Sequence, residues 1–338
     1  MSVRTATEWS YNGISTVILE NRLLRAVVMP ALGAKIWQLT SLPSGRDLLW
    51  QHPRIKPRPL PFHSIYDDQF FGGWDELFPN DMAEELGGER FPDHGEIWTL
   101  PWEYALERVT PDEATLHLWV ETPISACRVE KWLTLRAGES KLRFRHQITN
   151  LGQRDQPFLW KLHPALQVDE HSRIDLGASE VYVADFGPPR NGKTGVTYRW
   201  PFLTDDIGRR HDMRRGLPID AQINEFQFAT AMDAGWCALT HTQEQLGFGL
   251  AWNRDVLPSC WIFASYGGWR NLHVAILEPC TGYPVSVAEG VAQGTHQVLP
   301  AGAAITCEIT AVVYSGIAGV KQIDADGSVI AADDEDRV

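Results

Sequence analysis

Apolar and polar residues alternate with a period of two along much of the chain. In residues 142–149, apolar side chains such as Leu142 and Phe144 fall on one face, and polar ones such as Arg143 and Arg145 on the other. This period is typical of a half-buried antiparallel β-strand. Similar alternation, or enrichment in β-branched residues, occurs in residues 115–121, 128–135, 181–185, 237–242, 248–252 and 304–314.

Helical periodicity is weak everywhere, and the best candidate for a helix is a short piece at residues 82–86. Clusters of Gly, Pro, Asn and Asp separate the predicted strands, and no internal repeat or linker interrupts them. The pattern predicts an all-β protein, a large antiparallel β-sandwich formed as a single domain by residues 1–320. Residues 321–338 end in a run of acids, and we expect a disordered tail there.

The charge balance argues against two classes of partner. The 338 residues contain 30 Lys and Arg against 43 Asp and Glu, a net charge of -13. Because nucleic acids and anionic lipids are bound by clustered cations, neither is an expected partner. The N-terminus has no apolar signal region and no apolar run is long enough to span a bilayer. We therefore expect a cytoplasmic protein, monomeric or homodimeric, that binds a small molecule.

The five cysteines are odd in number and widely spaced, without a C-x-x-C pair. This spacing indicates reduced thiols and argues against a cysteine-ligated zinc ion. A complete Walker A pattern occurs at residues 187–194, but Pro188 and Pro189 remove two of the backbone donors that a phosphate-binding loop needs. The sequence therefore predicts no nucleotide at this position and no cofactor.

Three short segments place an acid or a base in strand-like surroundings, and they are centred on His94, His163 and Glu278. A structural role is the alternative for each residue, but a carboxylate such as Glu278, at the end of an apolar strand, must be paired, hydrogen-bonded or used in chemistry. No spacing puts two of these residues on one helix face or in an H-x-H pair, which argues against a metal site. The segments cover residues 92–98, 160–164 and 277–284.

A fourth segment, residues 70–80, sets two adjacent acids among aromatic residues. Carboxylates accept hydrogen bonds from hydroxyl groups, and an aromatic ring packs on the apolar face of a sugar, so Trp74, Asp75 and Glu76 are candidate contacts for a polyol. The alternative is a loop in which the two acids cap backbone N–H groups.

The three segments, in this order and spacing, resemble the aldose 1-epimerase (galactose mutarotase) superfamily. The resemblance covers roughly residues 10–318, and its most specific matches are residues 93–95, His163 and residues 277–284. It implies a β-supersandwich that interconverts the anomers of a free sugar without a cofactor. It also implies that Glu278 is the general base, that His163 is the general acid, and that His94 binds the ring or anomeric oxygen.

The sequence departs from the galactose-specific members of this superfamily at two positions. The arginine expected shortly after residues 94–95 is absent, and Pro164 follows His163 where an aromatic residue is common. Galactose is therefore a doubtful substrate. Arg270 and Lys161 are candidates to bind an anionic substituent of the sugar, and the alternative is that they balance Glu278 and the acids of the segment around Asp75.

The chemistry of mutarotation requires one base and one acid. A proton leaves the O1 hydroxyl while another reaches the ring oxygen O5, and a Glu and a His are suited to these steps near neutral pH. We therefore expect a mutarotase that acts on a free aldose or an acidic sugar derivative. The alternative is a carbohydrate-binding or regulatory protein without turnover.

Overall fold

The computed structural model describes residues 2–333. Strands account for 52 % of the residues and helices for 4 %, so the prediction of an all-β protein is confirmed. The chain forms two compact units. The first unit comprises the residues up to Pro164 together with Thr281–Ile309, and the second comprises Ala165–Cys280 together with the residues from Thr310 onward. The boundaries of the predicted single domain stay a prediction.

The first unit contains a long series of antiparallel strands. In chain order these strands are β1 (Arg4–Ala6), β2 (Ser10–Tyr11), β3 (Ile14–Ser15), β4 (Val17–Glu20), β5 (Leu24–Met29), β6 (Lys35–Ser41), β7 (Arg46–Asp47), β8 (Trp74–Leu77), β9 (Glu84–Leu86), β10 (Glu89–Phe91), β11 (Glu103–Val109), β12 (Glu113–Glu121), β13 (Cys127–Arg136), β14 (Lys141–Asn150), β15 (Gln156–Phe158) and β16 (Lys161–Leu166), the last of which ends in the second unit. A 3₁₀ helix, Tyr66–Gln69, precedes β8.

The second unit begins with the strands β17 (Ser172–Val183), β18 (Val196–Arg199), β19 (Phe202–Thr204), β20 (Arg210–Asp212), β21 (Ile223–His241), β22 (Leu246–Trp252), β23 (Ser259–Tyr266) and β24 (His273–Cys280), with a 3₁₀ helix at Ile219–Ala221. The chain then returns to the first unit, where α1 (Val287–Gln293) and β25 (Gln297–Leu299) lie. After β26 (Ala304–Ser315), which starts in the first unit, the hairpin β27 (Val320–Ile323) and β28 (Val329–Ala331) belongs to the second.

Strands β11 to β14 form a meander in which each strand pairs antiparallel with the next. The burial of β14 follows the sequence pattern, since Leu142, Phe144, His146 and Ile148 are all buried. The residues between them lie on the more accessible face. The period-two pattern therefore identified β12, β13 and β14 of this meander and the buried face of β14, whereas β11 was missed.

Three local expectations were wrong. The predicted helix at residues 82–86 is largely the strand β9, which pairs with β10. The α-helix α1 was missed, although Ser286 caps it by accepting a hydrogen bond from the N–H of Glu289. Within the expected disordered tail, β27 and β28 form a hairpin, because Val320 and Ile323 are buried apolar anchors. Residues 334–338 of that tail lie outside the described residues.

Among residues 2–333, the structure contains no helix with the length and hydrophobicity of a membrane span. The five cysteines, all within this range, are buried and form no disulfide.

A buried ion cluster lies inside the first unit. The Glu76 carboxylate accepts a hydrogen bond from Lys131 Nζ at 2.9 Å and lies 3.1 Å from His146 Nε2. Burial alone would raise the pKa of Glu76, but the charges of His146 and Lys131 hold it below its usual range. Lys131 also donates to the carbonyl of Ala34 at 2.9 Å. The cluster therefore ties β8 to β13 and β14.

Removing one member of this cluster leaves an uncompensated charge in the core. We expect Lys131→Met to lower the free energy of unfolding by about 3–5 kcal/mol, measured by urea unfolding. The control is Lys56→Met, an exposed lysine, for which we expect a change within about 0.5 kcal/mol. Equal stabilities of the two variants would contradict the role of the cluster.

Candidate functional site

The antiparallel pairing of β8 with β16 sets His163 directly opposite Asp75. All residues of both strands are buried, so Asp75 and His163 lie in the protein interior. A charged carboxylate in such a position requires a partner. The contacts of Asp75 therefore determine what surrounds His163.

Asp75 lies between a lysine and a tyrosine. Its Oδ2 accepts hydrogen bonds from Lys35 Nζ at 2.5 Å and from the hydroxyl of Tyr66 at 2.7 Å. Lys35 also donates to the carbonyl of Gly72 at 2.9 Å. Burial lowers the pKa of Lys35, and the attraction of Asp75 opposes this shift.

Tyr66 connects Asp75 to His163. The Tyr66 oxygen lies 3.1 Å from His163 Nδ1. Because the Tyr66 proton is donated to Asp75, the oxygen is left to accept, and it accepts from a protonated Nδ1. The neutral imidazole of His163 is therefore held as the Nδ1–H tautomer, in which Nε2 is the nitrogen that takes up a further proton.

His94 lies on the other side of Tyr66. Its ring stacks on the Tyr66 ring, with a centroid distance of 4.2 Å and an interplanar angle of 4°. The backbone is left-handed at His94, with φ 59°, and its N–H donates to the carbonyl of Asp81 at 2.5 Å. Its Nδ1 lies 3.1 Å from Asp93 Oδ1, and the second oxygen of Asp93 accepts from the N–H of Tyr66 at 2.7 Å.

The two histidines have opposite electrostatic environments although their ring centroids are only 6.3 Å apart. Burial lowers the pKa of His163, and the charges of Lys161 and His94 lower it further, so it lies well below its usual range. Burial acts in the same direction on His94, but Asp81 and the hydrogen bond to Asp93 outweigh it and raise its pKa. The first unit therefore holds two neighbouring imidazoles whose pKa values are shifted in opposite directions, so His163 loses its added proton more readily than His94.

Lys161 lies two residues before His163 on β16 and forms a buried ion pair with Asp81. The same Asp81 raises the pKa of His94. Lys161 therefore balances a carboxylate, although Asp81 lies outside the set of acids expected for it, and its predicted contact with a substrate stays a prediction.

Glu278 lies in the second unit, on β24, where it is opposite Trp261 of β23. Only 1 % of the residue is exposed. Trp261 packs against Phe228 with a ring centroid distance of 4.7 Å. The prediction that Glu278 ends a buried strand agrees with this position, and its catalytic role stays a prediction.

The other predicted substrate contacts are placed as follows. Trp74 is buried and packs against Phe144, with a centroid distance of 5.0 Å. Glu76 belongs to the ion cluster with Lys131, and Asp75 contacts Lys35 and Tyr66. These contacts place the three residues within the first unit, and their predicted contact with a substrate stays a prediction.

Arg270 of the second unit is an exposed loop residue with φ 51°, and its guanidinium lies 5.2 Å from the Trp269 ring centroid. Its predicted contact with an anionic substituent stays a prediction.

Sequence reasoning missed Tyr66 and Lys35. The sequence does contain a signal for Lys35. It is a single cation at the start of the apolar strand β6, and a buried cation needs a partner. The sequence contains no such signal for Tyr66, because nothing in residues 62–69 indicates that its hydroxyl bonds His163, 97 positions further along the chain.

Glu96 lies shortly after residues 94–95, in the region where the resemblance to galactose-specific members of the superfamily implies an arginine that this chain lacks. Its carboxylate accepts hydrogen bonds from the N–H groups of Ile124 and Ser125, at 2.7 and 3.1 Å, and from the hydroxyl of Ser125 at 2.6 Å. Glu96 therefore has a structural role in holding this turn.

Comparison with solved structures shows the same fold in proteins of low sequence identity. A candidate aldose 1-epimerase from Klebsiella pneumoniae superposes with a TM-score of 0.71 at 14 % identity, over 92 % of this chain and 83 % of the other. A galactose mutarotase-like protein from Clostridium acetobutylicum gives 0.66 at 13 % identity, over 93 % and 99 %. A protein from Synechocystis gives 0.66 at 18 % identity, over 92 % and 100 %.

No protein-family model matches the sequence, and no curated protein matches it significantly. The structural likeness therefore concerns the fold. The chain has the fold of the aldose 1-epimerases and galactose mutarotase-like proteins, the superfamily that its three sequence segments resemble.

Proposed function

We propose that the protein is a sugar mutarotase that interconverts the α and β anomers of a free aldose or an acidic sugar derivative. The fold supports this proposal at the level of the superfamily. The observation that carries it is the pair formed by His94 and His163, whose environments shift their pKa values in opposite directions. Titratable neighbours with such separated pKa values are typical of sites that transfer protons.

In the proposed mechanism, Glu278 removes the proton from the O1 hydroxyl as the C1–O5 bond breaks. His163, protonated on Nε2, donates that proton to O5, and an open-chain aldehyde results. Rotation about C1–C2 presents the other face of the carbonyl group, and the reverse steps close the ring. His94, whose raised pKa favours the protonated ring, donates a hydrogen bond to the ring or anomeric oxygen.

The contacts of His163 suit it to this role. The Lys35–Asp75–Tyr66 chain occupies its Nδ1, so proton uptake and release occur at Nε2. Burial, together with the neighbouring charges of Lys161 and His94, lowers the pKa of His163 and makes its imidazolium a stronger acid than free histidine. Since mutarotation runs in both directions, the neutral form serves as the base for ring closure.

Replacement of either catalytic group tests the activity. We expect Glu278→Gln and His163→Asn each to slow anomer exchange by about 10²–10⁴-fold, measured by polarimetry or NMR over neutral and acidic aldoses. Glu244→Gln and His171→Asn, at exposed positions, are the matched controls and should retain the parent rate. If sugars bind and the parent protein exchanges them no faster than buffer, the carbohydrate-binding alternative is correct.

The pH dependence of the rate tests the acid. Because the pKa of His163 is lowered and only its imidazolium donates a proton, the rate should rise as the pH falls from about 7.5 to about 6. His94→Gln removes one of the charges that lower this pKa, so the rise should begin at a higher pH. A rate that falls over the same interval would show that an unprotonated group limits the reaction, and it would contradict His163 as the proton donor.

The tautomer of His163 can be observed directly. At pH 7 its ¹⁵N chemical shifts should report a neutral ring protonated on Nδ1, and on titration His94 should keep its added proton to a higher pH than His163. Tyr66→Phe removes the acceptor of the Nδ1 proton and should shift His163 toward the Nε2–H tautomer. Tyr104→Phe, at an exposed position, should leave the spectrum unchanged. A parent ring already protonated on Nε2 would contradict the assigned hydrogen bond.

A further inference from the structure

Arginines are concentrated in one short stretch of the second unit. Residues 209–215 contain four arginines and one histidine, in a chain whose net charge is -13. The stretch begins next to β20, which pairs with β19 in a hairpin. This stretch therefore carries a local positive charge in a protein whose net charge is negative.

An open groove of about 760 Å³ lies beside this hairpin. Four arginines line it, Arg190, Arg209, Arg210 and Arg215, and Asp212 is the one carboxylate among its lining residues in the described chain. The volume is within the range of sites for small molecules. We refer to this site as the arginine groove.

The carboxylates near the groove are already engaged. Glu225 accepts from Arg190 Nε at 2.6 Å, and Asp212 accepts from both Nε and Nη2 of Arg214 at 2.9 Å. Within residues 2–333, no carboxylate lies within ion-pair distance of Arg209 or Arg210. The groove therefore has positive charge that the described residues leave unbalanced.

Two of the four lining guanidinium groups, those of Arg190 and Arg210, are held in position by backbone carbonyls and by ring packing. Arg210 lies 3.6 Å from the centroid of the Phe202 ring, and Arg214 lies 5.2 Å from the same centroid. Arg190 Nη1 donates to the carbonyls of Asp212 and Arg215 at 3.2 and 3.0 Å. Restraint of this kind lowers the entropic cost of binding an anion.

The chemistry of the lining selects the class of ligand. Arginine binds phosphate oxygens in a planar, bidentate geometry, and all the permanent cations of the groove are arginines. Leu217, Ile223 and Phe202 add apolar surface. We propose that the arginine groove binds a small organic molecule that carries a phosphate group, with the phosphate on Arg209 and Arg210 and its apolar part on these three side chains.

Phenyl phosphate and orthophosphate test this proposal by calorimetry. Neither probe is an aldose, so the result is independent of the proposed mutarotase activity. The variant Arg209→Gln/Arg210→Gln should weaken phenyl phosphate binding by tenfold or more, about the effect of losing one charge-assisted hydrogen bond. The matched control is Arg108→Gln/Arg136→Gln, which also removes two exposed arginines but in the first unit, and it should bind like the parent.

Each outcome decides a specific point. Tighter binding of phenyl phosphate than of orthophosphate supports an organic phosphate, and phenol, which lacks the charge, should not bind. Equal binding of the two phosphates would make the ligand inorganic phosphate and overturn the assigned apolar contact. Absence of binding, or binding that the Arg209→Gln/Arg210→Gln variant retains, would overturn the site. Affinity should also fall as ionic strength rises.

Discussion

The requirement that a buried charge be paired governs the candidate site. Asp75 lies inside the first unit, and it is compatible with that position because Lys35 and Tyr66 both donate to it. Through Tyr66 the same carboxylate orients His163, and the Tyr66 ring carries the stacked His94. One ion pair thus sets the tautomer of one histidine and the position of the other.

Adjacent residues of β8 meet this requirement on opposite faces of the strand. Side chains alternate along a strand, so Asp75 and Glu76 point to different sides, and each has its own buried lysine, Lys35 and Lys131. Glu76 contributes to the stability of the core, whereas Asp75 supports the histidine. Two acids that are equivalent in the sequence therefore have different roles.

The second unit shows a different use of charge. In the first unit, the pairs Lys35–Asp75 and Lys161–Asp81 place each cation beside a carboxylate. The charges around His94 and His163 then separate the pKa values of these two histidines. In the arginine groove, the side chains of Arg209 and Arg210 have no carboxylate within ion-pair distance among the described residues. The first arrangement suits proton transfer, and the second suits binding of an anion from solution.

The sequence by itself determined the all-β class, because a period of two along strands such as β14 is a local property that burial of one face enforces. It also indicated His94, His163 and Glu278, since acids and bases among apolar strands are conspicuous. Only the tertiary structure decided that Tyr66 bonds His163 and that Lys35 pairs with Asp75. These partners are 97 and 40 positions apart in the chain, and no local pattern encodes which strands become neighbours. The pKa values of the histidines depend on the same packing, because burial and nearby charges shift them and neither can be read from one segment.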